Sequence, residues 1–279
     1  MDNIQRLSID EIHLAVKKTL EKLIEICDEL NVEYLIAFGS LIGTIRHEGY
    51  IPWDDDLDII MLRKDYDILC DYCDKHDGEL MPFKLMNRHN TKDYPFNIAR
   101  FNDTRYGMIS TNEIPDAGMG AFIDIYPFDN AGDNEKCISK WFDLKKDVMS
   151  HMWYYSYEKN PLKNGRSIKN IIKYPLWKYA SKKGSTYFLE KLESLKDTFK
   201  NEGEYVALMV WDAPTVVYKK SYFDNKKLMP FEDIFVMVPE EYDKMLTSVY
   251  GDYMKLPPVE QRKASHDYIL YKKNQNCYT

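Results

Sequence analysis

Four carboxylates fall within five positions of this chain: Asp54, Asp55, Asp56 and Asp58. They run directly into an apolar segment that ends at Leu62 and predicts a β-strand. Successive strand side chains point to opposite faces, so Asp54, Asp56 and Asp58 are expected on one face, roughly 6.5–7 Å apart. Like charges this close repel unless a cation lies between them. The run therefore predicts a divalent-metal site, with one or two Mg²⁺ ions, or Mn²⁺ in their place.

Three other interpretations of the acidic run are weaker. A solvated acidic loop does not explain the large apolar neighbours, Trp53 before the run and Ile59 and Ile60 after it. A calcium EF-hand loop requires Gly at its sixth position and Glu at its twelfth, where this chain has Ile59 and Asp65. The D-x-D pattern of nucleotide-sugar glycosyltransferases also binds a metal diphosphate, but that pattern alone is too short to be specific.

A second phosphate-handling feature lies upstream. A short β-like segment, 34–38, ends at Gly39 and Ser40, and a short helix is predicted after them. Gly39 allows the backbone to approach a phosphate closely, while Ser40 and the helix N-terminus offer hydrogen-bond donors. The conjunction of this turn with two carboxylates at i, i+2 on the next strand indicates a nucleotidyltransferase-like, phosphate-transferring enzyme.

Further site residues follow from position. Asp124 lies between two isoleucines in a predicted strand, where a carboxylate needs a partner or a metal. Arg46 is expected to clamp a phosphate, and His47 to donate to one or to act as acid or base. Arg100 follows another strand and reaches the same cleft on weaker grounds. The predicted sets are catalytic Asp54, Asp56, Asp58 and Asp124; metal-binding Asp56, Asp58 and Asp124; and substrate-binding Gly39, Ser40, Arg46, His47 and Trp53.

The rest of the chain predicts an α/β (α+β) protein with a mixed β-sheet core, flanking helices and a helix-rich insertion. A capping box at Ser8 and Glu11 begins a helix over 9–30. Residues 1–133 are expected to form the catalytic core, and 134–227 a helix-rich region that provides an acceptor-binding or membrane-proximal surface. Within it, residues 134–200 show hardly any β pattern. Residues 228–279 are expected to pack back on the core. There, 228–238 look extended, Pro239 is expected to begin a helix and Gly251 to cap it.

The residues named above resemble those of the LicD family, which includes fukutin and the fukutin-related proteins. Residues 34–66 read YLIAFGSLIGTIRHEGYIPWDDDLDIIMLRKDY, and FIDIYPFD at 122–129 is similar to the second acidic strand of that family. The tail at 238–258 is similar to its closing helix and Tyr-Gly-Asp segment. The resemblance implies metal-dependent transfer of a phospho-alcohol from a CDP-activated donor to a glycan hydroxyl. Phosphocholine from CDP-choline is the best-known bacterial case, and ribitol phosphate the animal one.

The leading interpretation is therefore a phosphotransferase that modifies a cell-surface glycan, such as lipopolysaccharide, teichoic acid or capsule, or its lipid-linked precursor, and releases CMP. The alternative enzyme is a nucleotidyltransferase that places NMP from an NTP on a small-molecule or sugar acceptor. A non-enzymatic binding module is a third interpretation, against which the complete set of carboxylates argues.

Composition limits the partners and the compartment. A net charge of −7 and a pI of about 5.5 argue against a nucleic-acid partner. The sequence begins with no signal-peptide pattern and holds no long apolar run, so a cytoplasmic location is expected. Residues 159–183 carry eight Lys or Arg and no acid, interleaved with apolar residues. They predict either a solvated basic helix face or a helix lying on the anionic inner face of a membrane.

Overall fold

The computed structural model describes residues 5–92, 94, 96–110, 117–156, 160–164, 167–199, 203–208, 216–264 and 268–273. Within these ranges the chain forms seven α-helices and eleven β-strands. They belong to two compact units, Met1–Phe128 with Ser221–Thr279, and Asp129–Lys220. The mixed sheet with flanking helices confirms the predicted α/β class. None of the helices in the described ranges combines the length and hydropathy that a bilayer span requires.

The helices are α1 (Ile9–Leu30), α2 (Phe38–His47), α3 (Arg63–Lys75), α4 (Glu135–Ser156), α5 (Ile168–Lys183), α6 (Ser185–Glu193) and α7 (Tyr242–Tyr250). The strands are β1 (Leu35–Ile36), β2 (Asp58–Leu62), β3 (Phe83–Met86), β4 (Ala99–Asp103), β5 (Tyr106–Ser110), β6 (Ala121–Gly132), β7 (Tyr205–Leu208), β8 (Val217–Lys219), β9 (Lys226–Phe231), β10 (Ile234–Pro239) and β11 (Tyr268–Lys272).

The sheet of the first unit has the strand order β1-β2-β6-β4-β3. Strands β2 and β6 are parallel, and the other described neighbours are antiparallel. The register places Asp58 beside Asp124, and Asp124 beside Arg100. Because side chains of paired residues stand on the same face of a sheet, this row of three charged residues crosses three strands side by side. Two antiparallel pairs, β9 with β10 and β5 with β11, complete the strands of this unit.

Helix α1 forms as its sequence predicts. Ser8 and Glu11 make the reciprocal hydrogen bonds of a capping box, and the helix ends at Asn31 in the left-handed conformation. Its apolar stripe includes Leu20 and Leu23, which are fully buried, and it packs against β4 and α3. This face and the sheet form the main core, which supports the strands that carry the charged row.

Two boundaries differ from expectation. Helix α2 begins at Phe38, so Gly39 and Ser40 lie in its first turn and not in a turn before it. The prediction that Pro239 begins a helix is wrong, because Pro239 ends β10 opposite Lys226 and α7 starts at Tyr242. The next amide, that of Glu240, still donates to the Asn225 carbonyl (2.9 Å) and continues the ladder beyond the proline. The predicted cap at Gly251 is confirmed.

The second unit contains α4, α5 and α6 around a core that includes Trp141, Ala180 and Phe188. Strand β7 pairs with β6 and with β8. The helices agree with the helix-rich pattern predicted from residue 134 onward, whereas the short strands β7 and β8 were not predicted. The assignment of separate roles to 1–133, 134–227 and 228–279 stays a prediction.

Candidate active site

Three carboxylates meet at the start of β2. Asp58 is the first residue of that strand, Asp124 lies beside it on β6, and Asp56 lies two residues before the strand. One carboxylate oxygen from each of Asp56, Asp58 and Asp124 lies within 4.8 Å of the others. Asp54, Asp55 and Asp56 form a second group of the same kind. We call Asp56, Asp58 and Asp124 the carboxylate row; either group has the donors to hold a metal ion.

Backbone hydrogen bonds fix the row in place. The Ser40 hydroxyl accepts a hydrogen bond from the Asp58 amide (2.9 Å), and the Ala37 amide donates to the Asp58 carbonyl (3.0 Å). The Asp124 amide donates to the Leu57 carbonyl (3.0 Å). The buried Ser40 therefore ties the first turn of α2 to the first residue of β2. Its predicted contact with a phosphate stays a prediction.

Asp58 is in an unfavourable electrostatic environment. Its burial, together with the charges of Asp56, Asp124 and Asp54, raises the pKa of its carboxyl well above the ordinary value of 3.8. A hydrogen bond with Tyr126 opposes that shift only in part. Among the described residues no group hydrogen-bonds to the buried Oδ1 atom of Asp58. A desolvated set of oxygen donors with one buried oxygen unpaired fits a hard divalent cation.

Asp124 is held by Arg100. The Nε and Nη2 atoms of Arg100 donate to the two carboxylate oxygens of Asp124, at 2.6 and 3.3 Å. The guanidinium carbon lies 4.2 Å from the Phe96 ring centroid and 4.0 Å from that of Phe122, and Nη1 contacts Met119 Sδ at 3.2 Å. Burial alone would lower the pKa of Arg100, but the charge and hydrogen bonds of Asp124 outweigh it and raise that pKa. The pair is thus buried and fixed in orientation.

The first turn of α2 lies against the acidic run. A Cβ atom on Gly39 would lie 3.0 Å from Asp54 Oδ2, which is tighter than ordinary packing allows. Phe38 precedes it with a φ of 48°, rarely adopted by a bulky residue, and its ring meets Tyr126 edge-on at 5.3 Å. The Asp54 carboxylate is therefore close to the N-terminus of α2, where the helix dipole favours a negative charge.

Two residues from distant segments fix the backbone of the acidic run. The Nε2 atom of His13, on α1, donates to the Asp54 carbonyl (2.7 Å), and the His13 ring stacks on Tyr50 at 4.1 Å. The Tyr268 hydroxyl, on β11, donates to the Asp55 carbonyl (3.1 Å). Neither contact was predicted, because no local pattern marks a lone histidine or tyrosine that acts across such a separation.

Three other predicted residues, Arg46, His47 and Trp53, form a second group beside the acidic run together with Arg262. We call these four residues the basic cluster. Arg46 Nη1 donates to the Tyr253 carbonyl (2.7 Å), and its Nε donates to His47 Nε2 (3.0 Å). The Trp53 ring meets the His47 ring edge-on at 6.3 Å, and the Arg262 guanidinium lies over it, 5.6 Å from the ring centroid. Arg262 was not predicted.

The pKa values of the basic cluster reflect its crowding. Partial burial and then the charge of Arg262 lower the pKa of Arg46. Partial burial and then the charge of Arg46 lower the pKa of His47, which favours a neutral ring that accepts from Arg46. Cations held this close together favour the binding of an anion such as a phosphate.

Comparison with known proteins points to one family. Residues 31–164 match the family model described as "LicD/FKTN/FKRP, nucleotidyltransferase domain". The lipopolysaccharide cholinephosphotransferase LicD of Haemophilus influenzae is 28% identical over 278 residues, which cover 94% of this chain and 97% of that protein. Two uncharacterized proteins, RP689 of Rickettsia prowazekii and RT0683 of Rickettsia typhi, are each 38% identical over 52 residues, or 19% of this chain. These segments cover 20% and 17% of the two rickettsial proteins.

Proposed function

This chain belongs to the LicD/FKTN/FKRP nucleotidyltransferase family, and from that premise we propose that it transfers a phospho-alcohol from a CDP-activated donor. The acceptor is a hydroxyl of a cell-surface glycan or of its lipid-linked precursor, and CMP is released. We propose phosphocholine as the group and CDP-choline as the donor, because the full-length Haemophilus influenzae relative is named a lipopolysaccharide cholinephosphotransferase. The observation that carries the proposal is the carboxylate row, in which one oxygen from each residue lies within 4.8 Å of the others.

Asp56, Asp58 and Asp124 would hold one or two Mg²⁺ ions, or Mn²⁺ in their place. The unpaired, buried Oδ1 atom of Asp58 and the mutual repulsion of the three carboxylates support this assignment. When bound, the metal would neutralise charge on the donor diphosphate and on the departing CMP. The residues around the row keep it in place, since Ser40 fixes the backbone of Asp58 and Arg100 fixes the carboxylate of Asp124.

The remaining steps fall to the residues of the chain. The acceptor hydroxyl oxygen attacks the phosphorus nearest the alcohol; an O–P bond forms while the bond from that phosphorus to the CMP oxygen breaks. A carboxylate accepts the hydroxyl proton. We assign this role to Asp54 in preference to Asp124, because Arg100 engages both oxygens of Asp124. Asp54 is only half-buried, next to the first turn of α2.

The donor is held by the predicted substrate-binding residues. Gly39 and Ser40 lie in the first turn of α2, where backbone amides favour a phosphate. Arg46 and His47 supply polar donors, and Trp53 supplies an aromatic surface in the basic cluster. The cations suit the charge of the donor diphosphate, and the ring of Trp53 suits a flat base or an alkylammonium group.

The test is CMP release from CDP-choline, CDP-ribitol, CDP-glycerol and CDP-ethanolamine, each offered with a crude glycan acceptor and with Mg²⁺ or EDTA. We expect Mg²⁺-dependent release from CDP-choline and a loss of about 10³-fold in Asp58→Asn, because several kcal/mol of charge stabilisation would be removed. The matched control is Asp67→Asn, which changes an exposed carboxylate on α3 and should retain full activity.

Two results would contradict the proposal. Near-wild-type activity in a folded Asp58→Asn protein would contradict the proposal that the carboxylate row binds the metal. An acceptor product that retains the nucleotide, formed from an NTP with release of pyrophosphate, would establish nucleotidyl transfer in place of phospho-alcohol transfer. Mass spectrometry of the acceptor distinguishes the two reactions directly.

A further inference from the structure

Helix α5, in the second unit, presents its aliphatic side chains to solvent. A stripe at helical spacing (i, i+3, i+4, i+8, i+11) is exposed by 41–79%: Ile168, Ile171, Ile172, Leu176 and Tyr179. With 3.6 residues per turn, the stripe covers an arc of about 140°. Isolated exposed apolar residues are ordinary, but a continuous stripe of this width on one helix marks an interaction surface.

The stripe is not the face by which α5 packs on its own unit. The opposite face does that, because Ala180 is fully buried in a core with Trp141 and Phe188. On the same side of the helix, Tyr174 stacks on Trp177 with 5.8 Å between ring centroids. Tyr174 and Trp177 are both partly buried. The helix is therefore anchored through the side that carries Ala180, which leaves the isoleucine side outward. An amphipathic helix of a globular protein normally has the reverse arrangement.

Lysines border the stripe on both edges. At about 100° per residue, Lys178 and Lys182 lie along one edge, and Lys169 and Lys183 along the other. Residues 159–183 contain eight Lys or Arg and no Asp or Glu, in a chain whose net charge is −7. The apolar stripe is thus set in a positive segment of an otherwise acidic protein, which selects an anionic partner.

We propose that the stripe of α5 lies in the interfacial region of a lipid bilayer that carries anionic headgroups. The cations on α5 are all lysines, which are depleted in protein–protein interfaces but reach readily to lipid phosphates while their stems cover apolar surface. At 16 residues the helix measures about 24 Å, so it lies along a bilayer surface and does not cross it. This binding goes beyond the proposed transferase activity and does not rest on it.

Flotation of the full chain with vesicles tests the proposal. Vesicles of phosphatidylcholine alone are compared with vesicles that also contain phosphatidylglycerol, at low and at high salt. We expect the protein to float with the anionic vesicles, to remain at the bottom with the neutral ones, and to dissociate as salt rises. Absence of flotation with anionic vesicles at low salt overturns the proposal.

Matched variants distinguish vesicle binding through the stripe from nonspecific adsorption. Ile171→Ser combined with Ile172→Ser should lower partitioning by at least about tenfold. Leu228→Ser with Phe235→Ser, at positions 61% and 64% exposed on the β9–β10 hairpin, should leave it unchanged. Likewise Lys169→Gln with Lys178→Gln should weaken flotation, while Lys18→Gln with Lys75→Gln, two exposed lysines of the first unit, should not. CMP release from a soluble donor and acceptor should be the same in all four, so a failure of lipid binding is distinguishable from a failure of the activity.

Two results would reject the lipid as the occupant of the stripe. Equal loss in the α5 variants and in their controls would mean that the stripe has no special role. A concentration-dependent dimer in sedimentation that the isoleucine change abolishes, without flotation of the wild type, would assign the stripe to a second copy of the chain.

Discussion

The carboxylate row and the basic cluster lie next to each other in the same unit but are built in different ways. Asp58 and Asp124 are almost fully buried, occupy paired positions on neighbouring strands and are held by Ser40 and Arg100. The basic cluster is half-buried and not part of any strand. Its arginines donate to backbone carbonyls of the segment after α7, Arg46 to that of Tyr253 and Arg262 to that of Pro257.

The difference separates two tasks that a transfer site must perform. A rigid buried row suits the reaction step, because its oxygens keep their positions at little reorganisation cost. A half-buried cluster outside the sheet suits recognition, because it can adapt to the substrate while part of it stays solvated. We therefore expect changes in or around the row to lower kcat, and changes in the basic cluster to raise KM.

The largest effect on stability should follow from Arg100→Gln, which leaves the Asp124 carboxylate of the row buried without its ion pair. We expect the free energy of unfolding to fall by about 3–5 kcal/mol. Among molecules that remain folded, kcat should fall by about 10–100-fold, as for other residues that orient metal ligands. Urea denaturation and CMP release measure the two effects separately.

The control for Arg100→Gln is Arg63→Gln, which removes a more exposed pairing with Asp67 on α3 (3.4 Å). It should cost about 1 kcal/mol or less. If Arg100→Gln lowers the free energy of unfolding no more than Arg63→Gln does, the carboxylate row is not more rigid than the basic cluster.

The next largest effect concerns the pH dependence of stability, which tests the electrostatic environment of Asp58. Burial, followed by the charges of Asp56, Asp124 and Asp54, raises the pKa of Asp58 above its ordinary 3.8. The folded state then binds the proton more tightly than the unfolded chain, so this contribution to stability is complete below pH 3.8 and is lost as pH rises through the raised pKa. In EDTA, Asp58→Asn should therefore gain stability over the wild type as pH rises, by at most about 1.4 kcal/mol per pH unit.

The measurement is urea denaturation of both proteins between about pH 4, near the ordinary carboxyl pKa, and about pH 7. Mg²⁺ should stabilise the wild type and leave the variant unchanged, because only the wild type retains the full carboxylate row. If the free energy of unfolding depends on pH in the same way for both proteins in EDTA, burial and the neighbouring carboxylates do not raise the pKa of Asp58.

Ser40→Ala tests how far the row depends on the first turn of α2. The change removes the acceptor for the Asp58 amide and should lower the unfolding free energy by about 1 kcal/mol. We expect kcat to fall by about tenfold and KM to change little, since the position of Asp58 loosens. Ser248→Ala, which removes a comparable bond to the Met245 carbonyl (2.7 Å) on α7, should affect stability alone. If both variants keep full kcat, Ser40 has no part in positioning Asp58.

The sequence indicated the row but only part of what surrounds it. Asp56 and Asp58 belong to one local pattern, and Asp124 between two isoleucines needs a partner wherever it is buried, so short-range rules identify all three. The partner itself was not identified: Arg100 faces Asp124 only because β4 and β6 pair in one particular register. Strand register depends on the whole sheet and is weakly encoded in any single segment.

The same limit applies to helix α5. Periodicity predicts an amphipathic segment over 159–183, but both of its faces carry large apolar side chains. Tyr174 and Trp177 carry large apolar surfaces as Ile171 and Ile172 do, and only the packing of the second unit, which buries Ala180, determines which side faces solvent. The exposure of the isoleucines is therefore determined by tertiary structure and cannot be predicted from sequence periodicity.

Arg262→Gln should have the smallest effect and tests the basic cluster alone. Arg262 lies over the Trp53 ring and lowers the pKa of Arg46, so its removal takes one cation from the cluster without disturbing a strand. We expect KM for the CDP-alcohol to rise about fivefold, equivalent to roughly 1 kcal/mol, with kcat nearly unchanged. The control is Lys263→Gln, which neutralises the exposed adjacent residue and should leave KM unaltered. A fall in kcat with constant KM would place Arg262 with the row, and the two halves of the site would then share one task.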